Sequence, residues 1–308
     1  MSTPASRSWR PSWPCEVART LAPLRHGPGD PSYRISPDGT HWRGVRTPGG
    51  PATLAVTSGA GTVDARAWGP GAEWVLEGLP RMLGADDDPG GFEPRHEVLR
   101  EVWRRRPHLR IGATGLVMES LVPAIIEQKV TGQEAFAAFR RLLQRYGDSA
   151  PGPAADLGLR LPPSPEQLRA VPSWEWLRLP VDGARSRPIQ LAARVAAALE
   201  RAARGTTAEF DHRIRTIPGI GVWTSAETRA RALGDADAVS FGDYHVSRDV
   251  GWALVGVELD DAGLAELLEP YVGHRLRVQR LVEGAGLRRP RRGPRMAPRR
   301  HLPVGHPA

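Results

Sequence analysis

The chain has very little cysteine and almost no lysine. Among 308 residues there is a single Cys, Cys15, and a single Lys, Lys129; the other 41 of its 42 basic residues are Arg. One cysteine excludes an intrachain disulfide framework, a cysteine-ligated zinc site and an iron–sulfur cluster, and it fits a reducing, cytoplasmic setting. One lysine leaves a single side-chain amine for chemistry anywhere in the protein. No apolar run approaches the length of a membrane span, and the opening MSTPASRSWRPSW lacks the apolar centre of a signal peptide. Acidic residues are missing from Arg288 onward, where there are seven Arg.

That last absence changes the meaning of the net charge. The chain carries +8 overall. Seven of those charges lie in the final segment, so residues 1–287 are close to neutral. A pI of 10.7 therefore reflects a basic tail rather than a basic domain. An Arg- and Pro-rich tail of this kind is expected to be disordered and to add salt-sensitive, non-specific attraction to phosphate.

What is present sorts into four segments. Residues 1–30 are rich in Pro, Trp and Arg and read as an N-terminal extension with no assignable element. Residues 31–90 read as a small α+β domain. Tyr33–Ile35 and His41–Val45 flank an Asp38-Gly39 turn, the signature of a β-hairpin. Ala52–Thr57 and Val63–Trp68 form a second pair around Ser58–Gly61, and Ala72–Leu83 has helical spacing. Asp86–Gly91 is polar and helix-breaking, as a domain boundary should be. Beyond it strand signals nearly vanish. Helical patterns over His96–Arg106, after Thr114, after the capping-box sequences at Thr131 and Ser164, and over Arg187–Arg204 predict an all-α domain covering 91–287, with eight to ten helices. Residues 288–308 form the basic tail.

The most informative stretch is Thr216-Ile217-Pro218-Gly219-Ile220-Gly221-Val222-Trp223-Thr224. A helical pattern (Phe210, Ile214, Ile217) runs into Pro218, which cannot continue a helix interior. Gly219 and Gly221 permit a tight turn and close backbone approach. A second helix then opens with free N–H groups at its positive dipole end, which suits an anion or phosphate. It is not a dinucleotide-binding fingerprint, because no strand precedes it and the third glycine is missing. About twenty residues later comes Phe241-Gly242-Asp243-Tyr244, which presents a lone carboxylate after the second helix. Taken alone, Pro-Gly-Ile-Gly reads as an ordinary turn before it reads as a phosphate site, and an arbitrary loop Asp in the place of Asp243 as a cap on the next helix.

The combination of helix, Ile-Pro-Gly-Ile-Gly-Val-Trp-Thr, helix, Leu233-Gly234-Asp235 and Gly242-Asp243-Tyr244 resembles the helix-hairpin-helix DNA glycosylases. The likeness is closest to the bacterial 3-methyladenine DNA glycosylases of the broad-specificity, alkylation-repair type. Leu121–Val130 resembles that family's helix and loop at which a side chain wedges into DNA. Leu268-Glu269-Pro270-Tyr271, followed by an Arg-rich helix, resembles its C-terminal helix. The small N-terminal domain matches in size and order. The resemblance implies a mainly α fold, with a helix-hairpin-helix glycosylase domain preceded by a small α+β domain.

It also implies roles for particular residues. Asp243 is the expected catalytic carboxylate, stabilising cationic sugar character or activating water as the N-glycosidic bond breaks. Asp235 and Asp249 are its confusable neighbours. Gly219, Gly221, Val222 and Thr224 would hold a DNA phosphate. Backbone carbonyls of Arg215, Ile217 and Ile220 would hold a monovalent cation bridging to it, with no cofactor otherwise required. Gln128 and Lys129 would stand at the wedge, where Lys129 replaces the apolar side chain of the relatives. Tyr271, Trp223, Tyr244 and Phe241, with Trp252 as a further candidate, would face the flipped base, since aromatic faces attract electron-poor rings.

Members of the family that also cut the strand use a lysine just after the hairpin as a Schiff-base nucleophile. Here that position is Trp223, and the only lysine, Lys129, lies in the wedge loop. The expected activity is therefore that of a monofunctional glycosylase acting as a monomer on duplex DNA with damaged bases. The rival expectation is a non-catalytic helix-hairpin-helix DNA-binding protein.

Overall fold

A computed structural model describes residues 3–290. The expected disordered tail lies, from residue 291 on, outside the described residues. The N-terminal region is an antiparallel sheet of β1 (Ala5–Trp9), β2 (Tyr33–Ile35), β3 (His41–Thr47), β4 (Gly50–Gly59) and β5 (Thr62–Trp68), in the order β1-β5-β4-β3-β2. Both hairpins form where the turn residues place them. Gly39 has φ +81, and Asp38 accepts the Thr40 amide at 3.1 Å. Ala60 and Gly61 both have positive φ between the paired residues Gly59 and Thr62, as a two-residue turn of primed type requires.

The segment expected as an extension belongs to this sheet. Ala5–Trp9 pairs along β5, from Ala5 opposite Ala67 to Trp9 opposite Val63. Ser6 and Ser8 alternate with Ala5, Arg7 and Trp9, and the arginine among the half-buried residues interrupts the apolar signal of this edge strand. Helix α1 (Val17–Leu21) adds Val17 and Leu21 to the same core, with α2 (Ala72–Glu77) and α3 (Leu79–Met82). The single helix expected over Ala72–Leu83 is thus two, interrupted at Gly78.

The helical region contains α4 (Glu97–Arg104), α5 (Val117–Ile126), α6 (Gly132–Tyr146), α7 (Pro165–Ala170), α8 (Ser173–Arg178), α9 (Gly183–Arg194), α10 (Ala196–Ala202), α11 (Thr207–Arg215), α12 (Val222–Ala232), α13 (Val246–Val255), α14 (Asp261–Leu268) and α15 (Arg275–Gly284). This is more than the eight to ten expected. One reason is that Arg187–Arg204 is not one helix. Val195 leaves helical geometry (φ −112, ψ 15), which redirects α10 so that Glu200 accepts the Val117 and Met118 amides at the start of α5, both at 3.1 Å. That carboxylate, not Thr114, satisfies the first turn of α5; Thr114 Oγ1 accepts only the Leu116 amide. The capping boxes at Thr131/Glu134 and Ser164/Gln167 form, as does a third at Thr206/Glu209 that starts α11.

Two apolar cores divide the helical region. One is built from α5 to α12, around Leu121, Ile125, Leu142, Trp176, Phe210 and Ile214. The other joins Leu99 of α4 to Val250, Leu264, Val278 and Leu281 of the last three helices. Ala226 and Ala230 on α12 meet Ile111 and Leu276 between them. The loop from α12 to α13, which carries Asp243, therefore crosses the seam between the two cores. Among the described residues, no helix is long and apolar enough to cross a membrane.

Candidate active site and nucleic-acid interface

The hairpin closes between α11 and α12. Ile217 and Ile220 are buried in the first helical core and hold the turn down. Gly219 has φ +92, and a Cβ there would stand 2.7 Å from Pro188 Cγ. Both facts demand glycine. Gly221 is different: its backbone is extended (φ −99), and a Cβ would meet nothing within 4 Å. The protein itself does not require a glycine there; the open space lies in front of the start of α12. That helix has no side-chain N-cap, and Val222 is exposed. Its first amides face outward unpaired by the helix, so they are free for an anion.

Other predicted contacts are placed differently. Thr224 is buried, and its Oγ1 accepts from Gln128 Nε2 at 2.8 Å. The same amide donates to the Gly219 carbonyl at 3.0 Å. The Thr224 and Gln128 side chains therefore fasten the 127–130 loop to the hairpin. Lys129 stands exposed at the loop tip, in the left-handed region (φ +53) that β-carbons disfavour.

Asp243 lies on the wall of a cavity of about 340 Å³, together with Trp223 from the first turn of α12. Its Oδ1 accepts the amides of His245 (2.7 Å) and Val246 (3.1 Å), so it also caps α13. Oδ2 is not engaged in those bonds. The rest of the lining was not foreseen. Glu127 precedes Gln128, and Glu227 lies one turn after Trp223 on the same face of α12. Ser240, His245 and Asp249 flank the Asp243 loop, and Gln279, Arg280 and Glu283 come from α15. The i,i+4 spacings Trp223/Glu227 and Gln279/Glu283 were the available sequence signal.

The four aromatic residues expected in the pocket separate. Only Trp223 lines it. Tyr271 is buried in the second helical core. Its hydroxyl accepts the Arg95 amide at 3.1 Å and bonds His96 Nδ1 at 2.7 Å, and its ring lies against Phe92. Phe241 packs against that core as well. Tyr244 and Trp252 are exposed, and Tyr244 lies under the guanidinium of Arg248, 4.3 Å from the ring centroid. Tyr271 followed a short helix in a familiar order, but order alone does not reveal which way a ring faces. Asp235 is buried in an ion pair with Arg229, away from the cavity.

Electrostatically the cavity is acidic. Five carboxylates (Glu127, Glu227, Asp243, Asp249, Glu283) face two guanidiniums (Arg280, Arg288). Burial by itself would raise the Glu227 carboxyl, but Arg231 and Arg280 and a hydrogen bond from Ser240 outweigh it and hold it at about 2. Glu283 is bound by Arg280 and Gln279, both at 2.8 Å. Among the described residues, no three or more His, Cys or acidic side chains are arranged to hold a metal ion.

Compared with known proteins, the chain matches no family model and no curated protein. Its fold does match solved structures. It superposes on a 3-methyladenine DNA-glycosylase from Archaeoglobus fulgidus with a TM-score of 0.72 at 18% identity, over 90% of this chain and 97% of that one. Against an 8-oxoguanine glycosylase/lyase from Clostridium acetobutylicum, solved with duplex DNA containing cytosine opposite 8-oxoguanine, the TM-score is 0.70 at 11% identity, over 91% and 96% of the two chains. Against a fission-yeast (Schizosaccharomyces pombe) 3-methyladenine DNA glycosylase in complex with abasic DNA it is 0.51 at 18% identity, over 64% and 94%. The fold, N-terminal sheet included, is that of the helix-hairpin-helix DNA glycosylases.

Proposed function

We propose that the protein is a monofunctional DNA glycosylase that removes cationic, alkylated purines of the 3-methyladenine kind from duplex DNA. The observation that carries this reading is the placement of Asp243 and Trp223 on one acidic cavity, beside a helix start free to hold a phosphate. A purine alkylated on a ring nitrogen carries positive charge while it is joined to the sugar. A cavity in which carboxylates outnumber guanidiniums favours that charge over a neutral base. The amides ahead of Val222 and Trp223 would grip the phosphate, and Lys129 would meet the strand at the point of opening.

The chemistry then needs few parts. The bond between C1′ and the purine nitrogen breaks, and its electron pair neutralises the leaving base. Asp243 stabilises the positive charge that develops on the sugar. Water adds to C1′ and gives its proton to Asp243 or to solvent, which leaves an abasic site. Trp223 stands where a strand-cutting enzyme would need an amine, so no covalent enzyme–DNA adduct forms. A monovalent cation on the carbonyls of Arg215, Ile217 and Ile220 would bridge to the gripped phosphate. Ile217 O already accepts the Ile220 amide at 3.0 Å and has one lone pair left for it.

The test is release of base from methylated duplex DNA by the wild type and by Asp243→Asn. The wild type should release 3-methyladenine and 7-methylguanine well ahead of a neutral lesion such as hypoxanthine. The variant should lose on the order of 10²–10⁴ in rate, and borohydride should trap nothing. Undiminished release by the variant sinks the role of Asp243, and a trapped adduct sinks the monofunctional reading. The helix cap made by Asp243 Oδ1 favours a second reading, a non-catalytic DNA-binding module; absence of release by the wild type from any lesion would establish that one instead.

A further inference from the structure

Of the five carboxylates that line the Asp243 cavity, four have a reason in the fold. Glu227 is bound by Arg231, and Glu283 by Arg280. Asp243 caps α13, and Asp249 lies in the first turn of that helix, where the positive dipole end favours a negative charge. Glu127 is the exception. It is the C-cap of α5, at the negative end of the helix, where a carboxylate is disfavoured. Its side chain is only 22% exposed, so solvent screens that mismatch poorly. Neither Arg nor Lys bonds it. Among the described residues, its one ion-pair contact is His26 Nδ1, 3.4 Å from Oε1. Arg231 feels the Glu127 charge, but the bonds of that guanidinium go to Glu227 and to the Pro23 carbonyl.

The residues on either side hold this carboxylate in place. The Glu127 amide donates to the Pro123 carbonyl at 2.9 Å. The Ile126 carbonyl accepts Arg185 Nη1 from α9 at 3.0 Å. Gln128 is fastened to the Gly219 carbonyl and to Thr224, the neighbour of Trp223. Glu127 is thus pinned between α9 and the hairpin, and it lines the same cavity as Trp223. His26 is itself fixed: its ring lies against Phe139, 4.7 Å between centroids, and its amide donates to Asp30 at 2.8 Å. The imidazole steadies Oε1, and Oε2 bonds nothing among the described residues. A largely buried acceptor held at an unfavourable helix end, without a guanidinium, suits a ligand that brings its own N–H donors.

We propose that Glu127 is a specificity-determining residue of this cavity, whose carboxylate accepts the N–H donors on the edge of a flipped purine and thereby favours guanine-derived lesions. The assignment rests on the glycosylase reading of the same cavity. An ionised carboxylate is an acceptor only, with two oxygens to offer. Guanine presents its ring N1–H and its exocyclic amine side by side, which two carboxylate oxygens match as a pair. Adenine presents its exocyclic amine next to a bare ring nitrogen, which a carboxylate repels. The positive charge of an alkylated ring draws both bases to the cavity, and Glu127 separates them by their donors.

The experiment uses the full chain on methylated duplex DNA, which holds 7-methylguanine and 3-methyladenine together, and measures single-turnover release of each base. Glu127→Gln should slow 7-methylguanine about tenfold or more and 3-methyladenine less, so that the ratio of the two bases released changes. Glu127→Asp should restore part of that ratio. Tm of the Gln variant should equal or exceed that of wild type, because a charge opposed to the helix dipole is gone. Equal slowing of both bases would mean that Glu127 acts through charge or folding alone, and it overturns the proposal, as does no slowing of either. Binding of 7-methylguanosine, followed by titration calorimetry, separates this proposal from the reading it rests on. A wild type that releases no base, yet binds the nucleoside about tenfold more tightly than Glu127→Gln does, would end the glycosylase reading and leave Glu127 its role. No nucleoside binding by such a wild type, or equal binding by the two proteins, would end that role as well.

Discussion

The proposed catalytic role of Asp243 and its capping of α13 separate cleanly by substitution. As a cap, its Oδ1 takes the His245 and Val246 amides. Asparagine keeps an oxygen for that purpose but carries no charge for the cavity. Asp243→Asn should therefore leave the unfolding midpoint nearly unchanged while it removes activity. Asp243→Ala should lose both, at a cost of about 0.5–2 kcal/mol in stability. Equal stability loss in the two variants, measured by urea unfolding, would mean that the charge itself holds the loop. Glu227 gives a second test at this scale. Its folded carboxyl, at about 2, lies below the ordinary 4.5. It thus contributes stability that is complete above the unfolded value and is lost as pH falls through about 2. Glu227→Gln should be most damaging near neutrality, where it leaves Arg231 buried without its partner, and the gap to wild type should shrink steadily from pH 4.5 toward 2. A gap constant over that range would show that Glu227 contributes by packing alone.

At the level of elements, the hairpin's two glycines are not equivalent. Gly219→Ala forces a Cβ into a left-handed backbone against Pro188 and should destabilise by at least about 1 kcal/mol. Gly221→Ala meets open space and should fold normally, yet it places a methyl group where a phosphate would approach. Its expected signature is weakened binding to duplex DNA at unchanged Tm; equal DNA affinity would remove the phosphate from that position. In the sequence these two glycines looked alike, since both could serve a tight turn. Helix existence was legible from 3.6-residue spacing, and several starts were legible from Thr or Ser followed by Glu or Gln three residues on. The hairpin's position came from Pro218 ending one helix and glycine opening the next. What was not legible depends on contacts between distant segments. Val195 breaks a continuous helical pattern because Glu200 is needed at the start of α5. Ala5–Trp9 becomes a strand only because β5 offers an edge. Tyr271 turns inward because Arg95 and His96 wait there to bond its hydroxyl. The acidic lining drew on four separate segments, and only two of its pairs left an i,i+4 trace.

For the molecule as a whole, the distribution of charge decides how it would meet DNA. Residues 1–287 are close to neutral and the candidate cavity is negative, so this part of the chain carries no large net positive charge with which to attract a duplex. Specific engagement would rest on short-range features: the amides at the start of α12, Lys129 on its raised loop, and the cation that the acidic cavity would select. Long-range attraction falls to the end of the chain, where residues 291–308 contain five Arg and no acidic residue. Counterion release sets the expected size of that effect. Each phosphate neutralised contributes about 0.9 to the slope of log affinity against log salt. A chain ending at Pro290 should therefore lose up to about 4.5 units of slope, and much of its affinity for undamaged DNA at low salt. Base release at saturating substrate should be unaffected, because Asp243, Trp223 and the hairpin remain in place. Measured as affinity for an undamaged duplex over a salt series, an unchanged slope would mean that the tail arginines do not touch phosphate. A fall in saturated turnover would mean that they do more than attract.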